Sequence, residues 1–510
     1  MKTLRLILGD QLNIDHSWFT KTDESVVYCM FEMRQETDYV RHHIQKVVGF
    51  FAAMREFAAE LKSRGHQVVY FKINDETNTQ LLTENIKLLI QEYAIHKFEY
   101  LLPDEYRLDH ELKEICKNLP IESESNDTEH FYTSRTELKD FFKGKKQFLM
   151  ENFYRYMRKK HDILIVMGQP EGGKWNFDKS NRKKWNRKES IPQQIIFEND
   201  ISDILKDIRQ AGIDTMGLLK VKTFDYPINR KQALKQLSYF CENLLVKFGD
   251  YQDAMDTNEV YLFHSRISFA LNVKLLSPKE VVNTVLVYYR NHSDNIDISQ
   301  VEGFVRQILG WREYMRGMYW HTMPEYKTLN HLNNKNQLPD FFWTGKTKMN
   351  CLSHSINNSL QNAYAHHIQR LMITGNYALM TQIDPDQVDA WYLGIYIDAV
   401  EWVQLPNTRG MSQYADGGLI ATKPYISSGA YINKMSNYCN NCHYNNKEKT
   451  SENACPFNSL YWNFLDEKRS SLKGNRRMAM MYSLLDKMDK DQLSNIKERA
   501  NRIIQNPNEY

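Results

Sequence analysis

Apolar positions recur along this 510-residue chain with two different periods, and the period changes part-way. Up to about residue 130, short apolar runs alternate with helical stripes. They predict strands over residues 4–8, 25–33, 66–73 and 98–102, and helices over 40–64 and 81–95. In the first helix Val47, Phe50, Phe51, Met54, Phe57 and Leu61 fall at three- and four-residue spacings, and Gly65 ends it. Such alternation predicts a doubly wound parallel sheet with any pocket at the carboxyl ends of its strands. From about residue 226 strand signals thin out, and helical stripes dominate over 231–248, 279–291, 301–318, 352–374, 385–403 and 476–505. The chain therefore divides into an α/β domain (1–130), a connector (131–225) that carries an aromatic-basic helical patch at 149–158, and a large all-α domain (226–510).

Composition adds little at the level of the whole chain. It is 42% hydrophobic and 25% charged, as soluble globular proteins are, and its net charge of +3 selects no partner. Local charge says more. Residues 172–189 hold Lys174, Lys179, Arg182, Lys183, Lys184, Arg187 and Lys188 against Asp178 and Glu189, with Trp175 and Trp185 between them. Basic side chains interleaved with aromatics suit phosphate and base contacts, and equally suit an ordinary solvated loop. The first apolar run is broken by Arg5 and stops at Asp10, too short for a signal peptide, and no run of about 18 apolar residues predicts a membrane span. Seven unevenly spaced cysteines point to a reducing cytoplasm, where thiols serve as ligands or core residues.

Candidate chemistry lies at both ends. The turn after the first strand, Leu8-Gly9-Asp10-Gln11-Leu12, lacks Gly-x-Gly-x-x-Gly, which disfavours a dinucleotide site. Asp10, Glu36 and the pair His42-His43 fall near that sheet edge and read as surface residues. In the helical half, Cys439-x-x-Cys442 is followed by Cys455, with Cys351 available upstream. Four thiolates suit tetrahedral zinc or a [4Fe–4S] cluster. The lack of a second Cys-x-x-Cys and the Cys455-Pro456 step lean toward the cluster, while His443 could complete a zinc site. Cys29, Cys116 and Cys241 lie in apolar-periodic stretches and read as core. His366-His367 falls in a helix-forming segment, where neighbours point about 100° apart, so one ring at most faces a given pocket. Tyr364 before them and Arg370 after them favour a proton-transfer role. Trp311, Trp320, Trp343, Trp391 and Trp402 read first as packing, then as a cofactor pocket with a redox chain, and the hydroxyls of Ser265 and Ser268 could bind phosphate.

Several long motifs carry a resemblance: His264-Ser265-x-x-Ser268, Phe304-x-Arg306-Gln307-Ile308-x-Gly310-Trp311-Arg312-Glu313-Tyr314, Trp343-Thr344-Gly345-Lys346 and Tyr364 to Met372. Glu401-Trp402-x-x-Leu405-Pro406-Asn407, Gly410-Met411-Ser412-Gln413-x-Ala415-Asp416-Gly417-Gly418 and the four cysteines extend it over almost the whole chain. In these the sequence resembles the prokaryotic iron–sulfur (6-4) photolyases of the photolyase/cryptochrome family. The resemblance implies an α/β antenna domain, a connector and a helical domain binding FAD. It also implies a [4Fe–4S] cluster on Cys351, Cys439, Cys442 and Cys455, and a 6,7-dimethyl-8-ribityllumazine antenna near Asp10 and Glu36. The implied reaction is light-driven repair of the (6-4) lesion in UV-damaged DNA by electron transfer from excited FADH⁻, the lesion being flipped out of the duplex. His367 is implied as proton donor, supported by His366, with Tyr425 at the lesion pocket. Trp391, Tyr431 and Trp343 match the electron path. Ser265, Ser268, Gln307, Trp311, Arg312, Asp398, Gln404 and Asn407 are implied to contact the flavin. A neutral amide at Gln404, where a relative carries Glu, would alter the tuning of flavin N5. Lys174, Arg182, Lys183 and Lys184 then face DNA, and a monomer in the bacterial cytosol is expected. A cryptochrome-type photoreceptor shares the fold and cofactors without repair, and a metal-stabilised nucleic-acid-binding module would lack photochemistry altogether.

Overall fold

The computed structural model of the protein describes residues 1–219 and 222–510. Five parallel strands, β1 (Thr3–Leu6), β2 (Val26–Phe31), β3 (Gln67–Phe71), β4 (Lys97–Leu101) and β5 (Glu122–Asn126), form one sheet in the order β3-β2-β1-β4-β5. Every residue of β2 is buried, as expected of a strand covered on both faces. β5 is absent from the sequence expectation for a physical reason: as an edge strand paired only with β4, its Glu-Ser-Glu-Ser-Asn needs no apolar face. The helix Ile44–Ser63 buries Val47, Val48, Phe51, Met54, Phe57 and Leu61, each worth roughly 1.5–3 kcal/mol of burial. It starts four residues later than its apolar stripe suggests, because His43 caps it: Nδ1 accepts the Gln45 N–H at 3.0 Å.

The second half is helical, but two long predicted helices are broken in its middle. Residues 352–374 are not one helix. Asn350–Asn362 ends at Ala363, in a left-handed conformation (φ 49°), and helical structure resumes only after His366. Residues 385–403 likewise split into Pro385–Ile395 and Glu401–Leu405, with non-helical backbone between. The stretch 476–505 divides before Lys490–Gln505, where Asp489 caps the new helix. Four segments widen into π-helix, Phe240–Leu244, Arg306–Arg312, Gln369–Gly375 and Pro406–Ser412, and the last three carry candidate site residues. Such wide turns are frequent at functional sites.

One buried cation joins the two halves. Lys274 Nζ lies 2.9 Å from Asp10, in the turn after β1, and 3.0 Å from Asp104, after β4, and Arg316 reaches Asp104 at 3.3 Å. Lys274→Met would leave Asp10 without its cation and Asp104 with Arg316 alone. Breaking a buried pair of this kind costs about 3–5 kcal/mol, to be read as a lower denaturant midpoint, and an unchanged midpoint would show that the junction is not held by this cation.

Candidate active site

The break after Asn362 builds the centre of the site. His366 caps the resumed helix: its Nδ1 accepts the Ile368 N–H at 3.3 Å, while its own N–H donates to Gln369 Oε1 at 3.2 Å. This reciprocal pairing is a capping box with histidine in the Ser/Thr role. It makes Nδ1 the acceptor, so the proton sits on Nε2, and Nε2 is buried without a partner. The His366 ring lies 4.9 Å from that of His264. His264 is fixed in turn, with Nε2 3.1 Å from the Gln252 carbonyl and Nδ1 3.1 Å from the Tyr364 hydroxyl. His367, one residue on, is exposed to solvent. The two neighbours differ in exposure, His366 buried at the cap and His367 exposed. Burial, then the neighbouring His264, His367 and Arg370, holds His366 well below the ordinary imidazole range. Burial and Arg370 push His367 down to about 4.

The second break positions Asp398. Its carboxylate pairs with Arg370 at 2.9 Å, its carbonyl accepts from Asn272 Nδ2 at 2.6 Å, and the Arg370 guanidinium lies 3.8 Å from the centre of the Tyr396 ring. The hydroxyls of Ser265 and Ser268 have no hydrogen-bond partner among the described residues, and both residues are half-buried. Gln307 donates to the Gly303 carbonyl at 3.1 Å, Asn407 to that of Val403 at 2.8 Å, and Gln404 to Thr408 Oγ1. Trp311 is half-buried and edge-on to Tyr314 at 6.1 Å. Arg312 is placed deeper: it packs over Phe131 and Trp402 and bonds His130, the Leu271 carbonyl and Asn272, leaving Nη1 without a partner.

Trp391 is fully buried, with Nε1 donating to the Phe342 carbonyl at 3.1 Å and its ring meeting Phe342, Tyr392 and Tyr396 at 5.1, 5.3 and 5.9 Å. Trp343, next to Phe342, is exposed, so these aromatics step from core to surface. Tyr431 lies elsewhere, beside Tyr425, Asp253 and Arg182. In the basic loop, Arg182 pairs with Asp178 at 2.9 Å, Lys183 with Asp250 at 2.9 Å, Lys184 donates to the Asn433 carbonyl at 3.2 Å, and Lys174 lies 5.8 Å from the Phe177 ring centre.

Cys351, Cys439, Cys442 and Cys455 line one small cavity with Met349, Gly429, Ile432 and Tyr438. All are free thiols. A side chain at Gly429 would place its Cβ 3.0 Å from Cys455 Sγ, so only glycine leaves this cavity its room. Burial first, and then the other three thiols, push Cys351 up, and burial pushes Cys455 up to about 12. Among the described residues no three His, Cys, Asp or Glu side chains are disposed to share one metal ion. Four thiolates on a single zinc would stand about 3.8 Å apart. Four thiols around one cavity are a donor set for a thiolate-bound group.

A further cavity opens where strand order reverses between β1 and β4, the usual ligand crevice of such sheets. Gly9, Asp10, Glu36, His42, Lys46 and Glu105 line it, and 399–402 from the helical half close it. Asp10 is already engaged by Lys274, and Glu36 by Arg107 at 2.7 Å. Burial, reinforced by Glu36 and Glu401, pushes Glu105 up to about 8, and burial pushes Lys46 down to about 7. His43 is spent on the helix cap and the Leu360 carbonyl.

Residues 5–226 match the family model described as deoxyribodipyrimidine photo-lyase-related protein. Over 505 residues the chain is 41% identical to a (6-4) photolyase of Agrobacterium fabrum, covering 98% of each. The chain belongs to the photolyase family. Two solved structures share the fold of this photolyase-family chain. A class III photolyase of Agrobacterium tumefaciens aligns over 96% of the chain and 98% of its own length at 14% identity with a TM-score of 0.55. A Synechocystis cryptochrome aligns over 81% and 82% at 14% identity with a TM-score of 0.52. A shorter similarity, 36% identity over 111 residues, or 22% of the chain, links it to an uncharacterized mimivirus protein of which 84% is covered. Sequence reasoning about this photolyase-family site passed over His264, read only as the neighbour of two serines. Its pairing with Tyr364 across 100 residues leaves no local pattern from which to infer it.

Proposed function

We propose that the chain repairs the pyrimidine–pyrimidone (6-4) lesion of UV-damaged DNA in light, with His367 as proton donor, His366 positioning it and Tyr425 at the lesion. The observation that carries this reading is the histidine corner: an exposed imidazole at His367 beside a buried one at His366 whose Nε2–H lacks an acceptor. The near-full-length similarity to a (6-4) photolyase supports the choice of lesion. A reduced flavin, when bound, supplies an electron on illumination. The residues suit FAD: unpartnered hydroxyls at Ser265 and Ser268 for phosphates, the Arg370–Asp398 pair for polar ring edges, and Gln307, Trp311 and Asn407 around it. Gln404 and Arg312, engaged by Thr408 and by His130 with Asn272, would contribute from behind.

Trp391 and Trp343 would carry electrons inward from the surface, and Tyr431 would serve the same flavin. The four-cysteine cavity would hold a [4Fe–4S] cluster. The crevice at the sheet's carboxyl edge would hold the ribityllumazine antenna, with Glu36 and Glu105 toward polar ring atoms. Lys174, Arg182, Lys183 and Lys184 would meet DNA phosphates, the acidic partners of Arg182 and Lys183 exchanging for backbone charge. A cytosolic monomer completes the reading. No helix among the described residues is long and apolar enough to cross a membrane.

The test is a light-driven assay on duplexes carrying one defined lesion. Restoration of the (6-4) site is expected; restoration of a cyclobutane dimer alone would reassign the substrate. The shared cryptochrome fold favours a second reading, a photoreceptor. A protein that photoreduces its flavin yet leaves both lesions intact would establish it.

A further inference from the structure

We propose that residues 473–477, together with Lys423, form a second phosphate-binding face beside Tyr425; this rests on the DNA-repair reading above. Four cations of the 172–189 loop are already engaged. Arg182 pairs with Asp178, Lys183 with Asp250 and Arg187 with Asp256, and Lys184 bonds the Asn433 carbonyl. Lys473, Arg476 and Arg477 are exposed and Lys423 is half-buried, and none of the four makes an ion pair among the described residues.

The face is held in place without using those charges. Buried Leu472 and Met478 anchor the segment at either end. Between them Asn475 is the fastening: its Oδ1 accepts the Arg477 N–H at 3.0 Å and its Nδ2 donates to the Thr422 carbonyl at 2.9 Å. That second bond ties the ridge to the strand of chain running through Lys423 to Tyr425. The Tyr425 hydroxyl accordingly lies in the field of both Arg182 and Arg477, so the two basic segments meet at the residue proposed to touch the lesion. Unpaired, exposed guanidinium groups on a fixed backbone suit bidentate contacts to phosphate oxygens.

Each phosphate neutralised adds about 0.9 to the slope of log K against log salt concentration on B-DNA. Binding of a lesion-bearing duplex, followed by fluorescence anisotropy over a salt series, therefore reads the face directly. Arg476→Ala/Arg477→Ala is expected to reduce the slope by about 1.8, and Lys423→Ala by about 0.9. Arg476→Lys/Arg477→Lys should keep the wild-type slope, which separates charge from any structural effect. Slopes unchanged in both alanine variants would overturn the proposal while leaving the repair reading intact. A wild-type protein with no salt-dependent affinity for DNA would instead overturn the repair reading itself.

Discussion

His367→Ala is expected to slow repair by about 100- to 10,000-fold, the usual contribution of a positioned acid, while flavin content and melting temperature stay at wild-type values. The side chain is open to solvent and makes no hydrogen bond that would hold the fold together, so its loss should be felt in chemistry alone. The prediction carries a pH dependence whose sign is fixed. In the free protein burial and Arg370 keep this imidazole down to about 4, so at neutral pH it is neutral and cannot donate a proton to solvent-like acceptors. Lesion phosphates, and the negative charge arriving with the transferred electron, favour the charged form and must raise it. Single-turnover repair should therefore be full at low pH and fall as pH rises through the value the group has in the complex, well above 4. NMR titration of free protein should report the low value. Two results would remove His367 from its role: near-wild-type repair by the alanine variant, or the same descending limb persisting in that variant's residual activity.

How far this architecture could be read from sequence depends on whether burial leaves a local trace. β1 to β4 were legible because each carries buried apolar residues, continuous in β2 and alternating with polar ones in β1 and β4; β5 was not, because an edge strand of Ser, Glu and Asn resembles a loop. The two breaks were invisible for a different reason. Apolar residues on either side of 363–366, such as Leu352, Ile356 and Leu360 before it and Ile368, Leu371 and Met372 after it, continue the helical stripe, and no Gly or Pro interrupts them. What ends the first helix is the left-handed turn at Ala363, and what starts the next is a histidine capping box, both sustained by tertiary contacts that outweigh local propensity. The consequence reaches function, since those breaks orient His366 and Asp398. Spacing singled out Cys439, Cys442 and Cys455, whereas Cys351 joins them only in three dimensions, from the first turn of Asn350–Asn362. Arg477 and Asn475 belong to no motif, and their proximity to Tyr425 exists only in the folded chain.

Cys442→Ala is expected to damage folding more than chemistry. The four thiols come from three separate places: the first turn of Asn350–Asn362, the short turn Tyr438–Asn441 with Cys442 after it, and the residue that precedes Pro456–Glu467. A group bonded to all of them closes a loop of roughly 100 residues, and a covalent closure of that length is worth about 4.7 kcal/mol through the unfolded chain alone. Further stabilisation comes from ligand bonding itself, because a site that exists only in the folded state adds its binding free energy to folding. The histidine corner and Trp391 are not among the residues lining the cysteine cavity, so molecules of the variant that do fold should still photoreduce flavin and repair at a rate within a few-fold of wild type. The expected signature is loss of iron and acid-labile sulfide, a melting temperature lowered by several degrees, and a small change in repair per folded molecule. A soluble, cluster-free variant that melts with the wild type would show that the cysteines do not tie these helices together, and an intact melt with abolished repair would move the cluster from scaffold to electron path.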